Sequence, residues 1–110
     1  MVDERVVDYE YRDVFVGHGP GWQSLTVPVI DFVLDNGGTV FQIKEKFGAL
    51  RIYVEGFEPG SLRDEVHRRI DEAEDKSLET CEVCGAAGEL RSGRWLKTLC
   101  DYHHSHKEVG

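Results

Sequence analysis

Thr39-Val40-Phe41-Gln42-Ile43-Lys44-Glu45-Lys46-Phe47-Gly48-Ala49-Leu50-Arg51-Ile52-Tyr53-Val54-Glu55 decides the fold. Beyond Gly48, the apolar residues Leu50, Ile52 and Val54 alternate with Arg51, Tyr53 and Glu55. That is the period-2 pattern of a strand with one buried and one solvated face. Phe47-Gly48 interrupts two such runs, so Thr39–Lys46 and Ala49–Glu55 read as a β-hairpin.

The chain on either side adds elements that can cover such a hairpin. Upstream, Val7, Tyr9 and Tyr11 alternate with Asp8, Glu10 and Arg12, which predicts one strand running on through Val14, Phe15 and Val16. It stops at Gly17-His18-Gly19-Pro20-Gly21, which lacks the spacing of a phosphate-binding loop. The stretch reads as a plain turn with His18 exposed to solvent. Trp22, Leu25, Val29, Ile30, Val33 and Leu34 then recur at helical spacing, and Asp35-Asn36-Gly37-Gly38 is a stop signal. Pro28 leaves two readings: Thr26 caps a helix with the proline in its first turn, or a longer helix starting near Trp22 is kinked there. Trp22 is expected in the core at the helix start. Downstream, Ser61-Leu62-Arg63-Asp64 has the form of a capping box, and Leu62, Val66, Ile70, Ala73 and Ser77 make one helical stripe. Glu65 with Arg69, and Arg68 with Glu72, suit the solvated side of that helix.

All three cysteines lie in the last thirty residues: Cys81-Glu82-Val83-Cys84-Gly85, then Cys100-Asp101-Tyr102-His103. Two ligand pairs, each spaced three residues apart, match a structural zinc signature. A disulfide framework would leave one thiol over, whereas three thiolates and a histidine complete a tetrahedral site. Spacing favours His103 as fourth ligand, and His104 and His106 are near enough in sequence to replace it. Between the pairs, Leu90-Arg91, Ser92-Gly93 and Arg94 to Leu99 suggest a second small hairpin. The expected fold is therefore α+β: a short antiparallel sheet with two helices over residues 1–79, plus a treble-clef or zinc-ribbon-like unit over 80–110. The two parts are expected to pack as one compact domain.

A closed four-ligand shell leaves no position for water or substrate, so the expected Zn²⁺ is structural and no catalytic residue is assigned. His103-His104 evokes an HNH nuclease, but only six residues follow His104, too few for that motif's remaining helix. The H-x-E and P-C-x-x-C elements of a zinc deaminase are missing. The net charge of -8 is concentrated upstream: residues 1–40 contain seven acidic and two basic residues, and residues 81–110 four of each. This opposes general nucleic-acid binding. No apolar run approaches the ~20 residues of a membrane span, and the acidic start Met1-Val2-Asp3-Glu4 does not resemble a secretory signal. A cytoplasmic location follows as the expectation.

Several blocks carry a resemblance. Gln42 to Tyr53, with Ile43-Lys44-Glu45-Lys46-Phe47-Gly48 at its centre, is followed by Ala73-Glu74, Ser77, Cys81 to Gly85 and Trp95 to Cys100. In this order they resemble a family of small uncharacterised proteins encoded by phages and prophages, over roughly residues 21 to 104. The resemblance implies a phage context and action in the host cytoplasm, and supplies no activity. Together with the closed metal site, it points to a non-enzymatic accessory protein that engages a host or phage protein. The candidate surfaces are the zinc hairpin and the sheet face bearing Arg51 and Tyr53. The alternative is nucleic-acid binding by Arg91, Arg94, Trp95 and Lys97, against which Trp95 would simply pack near the metal. Lys44, Lys46 and Arg51 form a second, weaker basic cluster, interrupted by Glu45. A third reading is an inhibitor whose acidic surface mimics DNA.

Overall fold

A computed structural model describes residues 9–105. Val7 and Asp8, at the start of the expected first strand, lie outside the described residues, as does His106. The central hairpin is present as β3 (Thr39–Lys46) and β4 (Ala49–Glu55), antiparallel in register Ile43↔Ile52 and Lys44↔Arg51. Phe47 at φ 56° and Gly48 at φ 85° form the two-residue turn, the backbone twist that joins adjacent antiparallel strands best. Glu45 secures it by accepting the Gly48 N–H at 2.7 Å. A register shift between Val40 and Gln42 turns Phe41 outward, the mark of a β-bulge.

The single N-terminal strand expected from alternation is instead two strands, β1 (Tyr9–Tyr11) and β2 (Val14–Gly17), paired antiparallel. The chain reverses at Arg12 and Asp13, both at positive φ, 52° and 68°. Neither is glycine or asparagine, so the usual turn signal is missing from the sequence. Long-range contacts hold the turn: Arg12 reaches Asp31 at 2.9 Å and Asp35 at 3.0 Å, and the Tyr11 hydroxyl donates to Asp31 at 3.0 Å. Being largely exposed, these ion pairs are weak and screened by solvent.

A wholly antiparallel sheet is corrected as well. β2 runs parallel to β3, with Val16↔Ile43 and Gly17↔Lys44, so the sheet is mixed with order β1-β2-β3-β4. Parallel neighbours require a crossover, and the helix between them supplies it. A 3₁₀ turn at Pro20–Trp22 runs into α1 (Gln23–Asp35), which is the longer of the two helix readings. Thr26 is therefore inside the helix and does not cap it. Pro28 withholds the N–H that would bond Ser24. At the far end Gly37, at φ 86°, and Gly38 donate to Leu34 and Val33, the paired bonds of a glycine-terminated helix.

α2 (Ser61–Ser77) buries Val66, Ile70, Ala73 and Ser77, while Leu62 stays exposed at its start. The capping box is not formed: Gly60 is the N-cap, and no side chain bonds the helix start. Both expected surface pairs are present, Glu65 with Arg69 at 2.8 Å and Arg68 with Glu72 at 2.9 Å. The two helices pack against each other and the sheet around Val16, Trp22, Ile30, Val33, Leu50 and Val66. α2 also covers the free edge of β4. The Leu50 N–H donates to Ser77 Oγ at 3.0 Å and the Ile52 N–H to Glu74 Oε2 at 3.1 Å. Burial raises the Glu74 pKa, opposed by the Ile52 N–H and Arg51.

Candidate metal centre

The C-terminal segment forms a two-stranded antiparallel sheet, β5 (Glu89–Arg91) with β6 (Lys97–Leu99), followed by the short helix α3 (Asp101–Ser105). Before β5 the chain folds into a tight knuckle. Gly85 takes φ 84° and donates its N–H to the Cys81 carbonyl at 2.9 Å, while the Cys81 N–H reaches Ala86 at 2.8 Å. This turn aims Cys81 and Cys84 the same way. Cys100 precedes α3, and His103 sits one turn on, its N–H directed at the Cys100 sulfur at 3.4 Å. The expected pairs therefore converge.

Ligand atoms of Cys81, Cys84, Cys100 and His103 all lie within 4.8 Å of one another. Cys84 and Cys100 sulfurs are 3.8 Å apart, and His103 Nδ1 lies 3.5 Å from Cys81 Sγ and 3.3 Å from Cys100 Sγ. Metal bonds of ~2.3 Å to sulfur and ~2.0 Å to nitrogen in a tetrahedron place sulfurs ~3.8 Å apart and nitrogen ~3.5 Å from sulfur. The geometry fits such a shell, and all three cysteines are free of disulfides. Burial opposes ionisation of Cys100, yet the His103 N–H and the neighbouring thiols outweigh it and lower the pKa; burial raises that of Cys84. His103 belongs to the cluster and His104 does not.

One residue that the sequence left unassigned fastens this unit to the rest. Glu82, between the first two cysteines, is 2% exposed. Its Oε2 accepts the Gly19 N–H at 2.9 Å, and its Oε1 lies 3.5 Å from Lys97 Nζ, which also faces Glu45 at 3.4 Å. Burial raises the Glu82 pKa against the pull of Lys97. Its main chain bonds Gly21 and Thr98 as well. His18 is fully buried, contrary to the expected exposed loop position. Its Nδ1 is 2.7 Å from the Gly19 carbonyl and its Nε2 2.7 Å from Thr26 Oγ1. Polar satisfaction on both ring nitrogens makes this histidine a core residue, which its glycine-rich setting conceals.

Gly21 lies where the two parts are closest. A Cβ there would fall 2.1 Å from the Cys81 carbonyl oxygen and 2.6 Å from Gly85 N, both backbone atoms. Gly21→Ala is expected to lower unfolding free energy by roughly 1–3 kcal/mol, since neither side can yield without moving the knuckle. Urea unfolding of the two proteins measures it, and an unchanged midpoint would contradict the close approach.

The proposed binding residues separate into two groups. Arg91 donates to the Leu99 carbonyl at 3.1 Å and to Asp101 at 2.8 Å, and Lys97 is held between Glu45 and Glu82. Both are thus neutralised internally. Arg94 lies 5.5 Å from the ring of Trp95, which is 63% exposed and so is not packed against the metal ligands. Arg51 and Tyr53 stand on the sheet face away from the helices, where Tyr53 meets Phe41 at 5.9 Å. Phe15, Phe41 and Tyr53 are all exposed. Sequence reasoning found Tyr53 but missed the other two, because the break at Arg12-Asp13 and the bulge at Phe41 decide which way they point.

Comparison with family models, with curated proteins and with solved structures yields no match to this chain. No described helix is long and apolar enough to cross a membrane.

Proposed function

We propose that this chain is a non-enzymatic binding protein of phage or prophage origin, acting in the host cytoplasm, held in shape by a structural zinc and binding through the outer face of its sheet. Zinc on Cys81, Cys84, Cys100 and His103 would have four protein ligands and no open position for substrate. A knuckle, a hairpin and a ligand pair at the start of a short helix is the order of a treble clef, and we assign the unit to that class. The observation that carries the binding reading is the exposure of Phe15, Phe41 and Tyr53 on three adjacent strands. Clustered aromatic side chains are energetically dominant at contact surfaces.

The zinc hairpin is the weaker candidate, since Arg91 and Lys97 already have carboxylate partners. The test is affinity capture from host lysate with the zinc-loaded protein and with a Phe15→Ser, Phe41→Ser, Tyr53→Ser variant, analysing retained protein and nucleic acid. Specific material retained by the first and lost from the second is expected. Identical retention by both would remove the sheet face as the contact surface.

A further inference from the structure

We infer that the outer sheet face takes single-stranded nucleic acid, with bases stacked on Phe15, Phe41 and Tyr53 and phosphates held by Lys44 and Arg51. This rests on the reading of the chain as a binding protein acting through that face, and it names the partner.

The charge pattern is the first argument. Lys44 and Arg51 are directly opposite in the β3–β4 register. Like charges at such a position destabilise a sheet. Five cations have a carboxylate within 4.0 Å, namely Arg12, Arg68, Arg69, Arg91 and Lys97. Lys44 and Arg51 have none among the described residues. Glu45, between them in the chain, points to the other face, where it bonds the Gly48 N–H and meets Lys97. Inside the fold this pair is offset only in part, by the pull of Glu74 and the Leu50 carbonyl on Arg51 and by the Tyr53 ring beside Lys44, so an external anion lying between the two would complete the arrangement. Glu10 on β1 and Glu55 at the end of β4 flank the surface, so its positive charge is local.

The aromatic geometry is the second argument. Phe41 and Tyr53 rings are 5.9 Å apart and tilted by 40°, and Lys44 Nζ lies 5.9 Å from the Tyr53 centroid. Parallel pairing between β2 and β3 includes only Val16↔Ile43 and Gly17↔Lys44. Where the strands diverge, a groove of about 380 Å³ opens between Phe15 and Phe41, with Gln42 on its wall. Flat aromatic faces, an amide suited to a base edge, and two cations are the elements that recognise unpaired bases joined by phosphates. A duplex hides its base faces and does not match a flat aromatic surface. The net charge of -8 adds long-range repulsion, so stacking must supply more of the affinity than phosphate contacts do.

Fluorescence anisotropy of the zinc-loaded full chain with labelled twelve-nucleotide oligothymidylate and oligouridylate, a duplex of equal length, and an acidic twelve-residue peptide tests this. At least one single strand is expected to bind better than both the duplex and the peptide, with a log–log salt slope of about -1.4 for two contacts. Phe41→Ala is expected to weaken it roughly 5- to 150-fold. The double variant Lys44→Gln, Arg51→Gln is expected to flatten the salt slope, with the thermal midpoint measured alongside to show that it remains folded. No binding of either oligonucleotide, binding indifferent to both variants, or equal or tighter binding of duplex or peptide would overturn the inference. Lysate capture that depends on the aromatic trio, with no oligonucleotide binding, leaves the binding-protein reading standing and removes this one; capture independent of the trio removes both.

Discussion

Cys100→Ser is expected to abolish stoichiometric zinc binding and to melt the C-terminal unit at temperatures where the unaltered protein remains folded. The local apolar cluster is small: Cys81, Leu99 and Cys100 are its buried members, with Val83 packed against them. Two of those three belong to the candidate metal cluster, so the side chains that would form a core are the ones the proposed zinc would organise. In structural zinc peptides the metal contributes about 10–16 kcal/mol of apparent binding free energy, and that binding is their folding free energy. A serine hydroxyl is too weak a ligand to replace the thiolate. Metal content by mass spectrometry and thermal unfolding with and without chelator give the readout. One zinc per chain with an unshifted transition in the variant would refute both the ligand assignment and its structural role.

Trp22→Ala is expected to reduce stability by about 3–5 kcal/mol, the range for deleting a buried aromatic side chain. Trp22 is fully buried at the start of α1 and meets the His18 ring edge-on at 5.4 Å. Its indole N–H donates to the Thr80 carbonyl at 2.7 Å, immediately before the first metal ligand. The loss therefore falls on both the α+β core and the approach to the knuckle, and weaker zinc retention should accompany it. Trp22→Phe keeps most of the apolar contact and loses the hydrogen bond, so it is expected to recover more than half of the deficit. Denaturant unfolding of both variants measures this, and a deficit below about 1 kcal/mol for alanine would mean the side chain is dispensable.

The sequence was most readable where one local pattern dominated. The β3–β4 hairpin, the buried stripe of α2 and the paired Cys-x-x ligand spacing each follow from a short run of residues, and none needs a distant partner to be recognised. Legibility failed where long-range contacts decide local conformation. The turn at Arg12-Asp13 depends on Asp31 and Asp35, and the parallel placement of β2 depends on the crossover through α1. Ser61 fits a capping box, yet Gly60 occupies the cap position. The four clustered side chains of the candidate metal centre follow from spacing, whereas Glu82 reads as a spacer and His18 as a loop residue. Their importance comes from Gly19, Thr26 and Lys97, brought near by the fold.

The two bonds from α2 to the outer rim of β4 also govern how this protein would fail. Ala49-Leu50-Arg51-Ile52-Tyr53-Val54 is rich in residues that favour extended pairing, and an open rim of this kind is a template for other chains. Ser77 and Glu74 occupy two of the donors through which such templating would begin. Self-assembly into fibrils thus requires partial detachment of one helix, without global unfolding. The last turns of α2 act as a safety catch against polymerisation, and because only three residues separate Ser77 from Cys81, loss of the proposed zinc is expected to loosen that catch first.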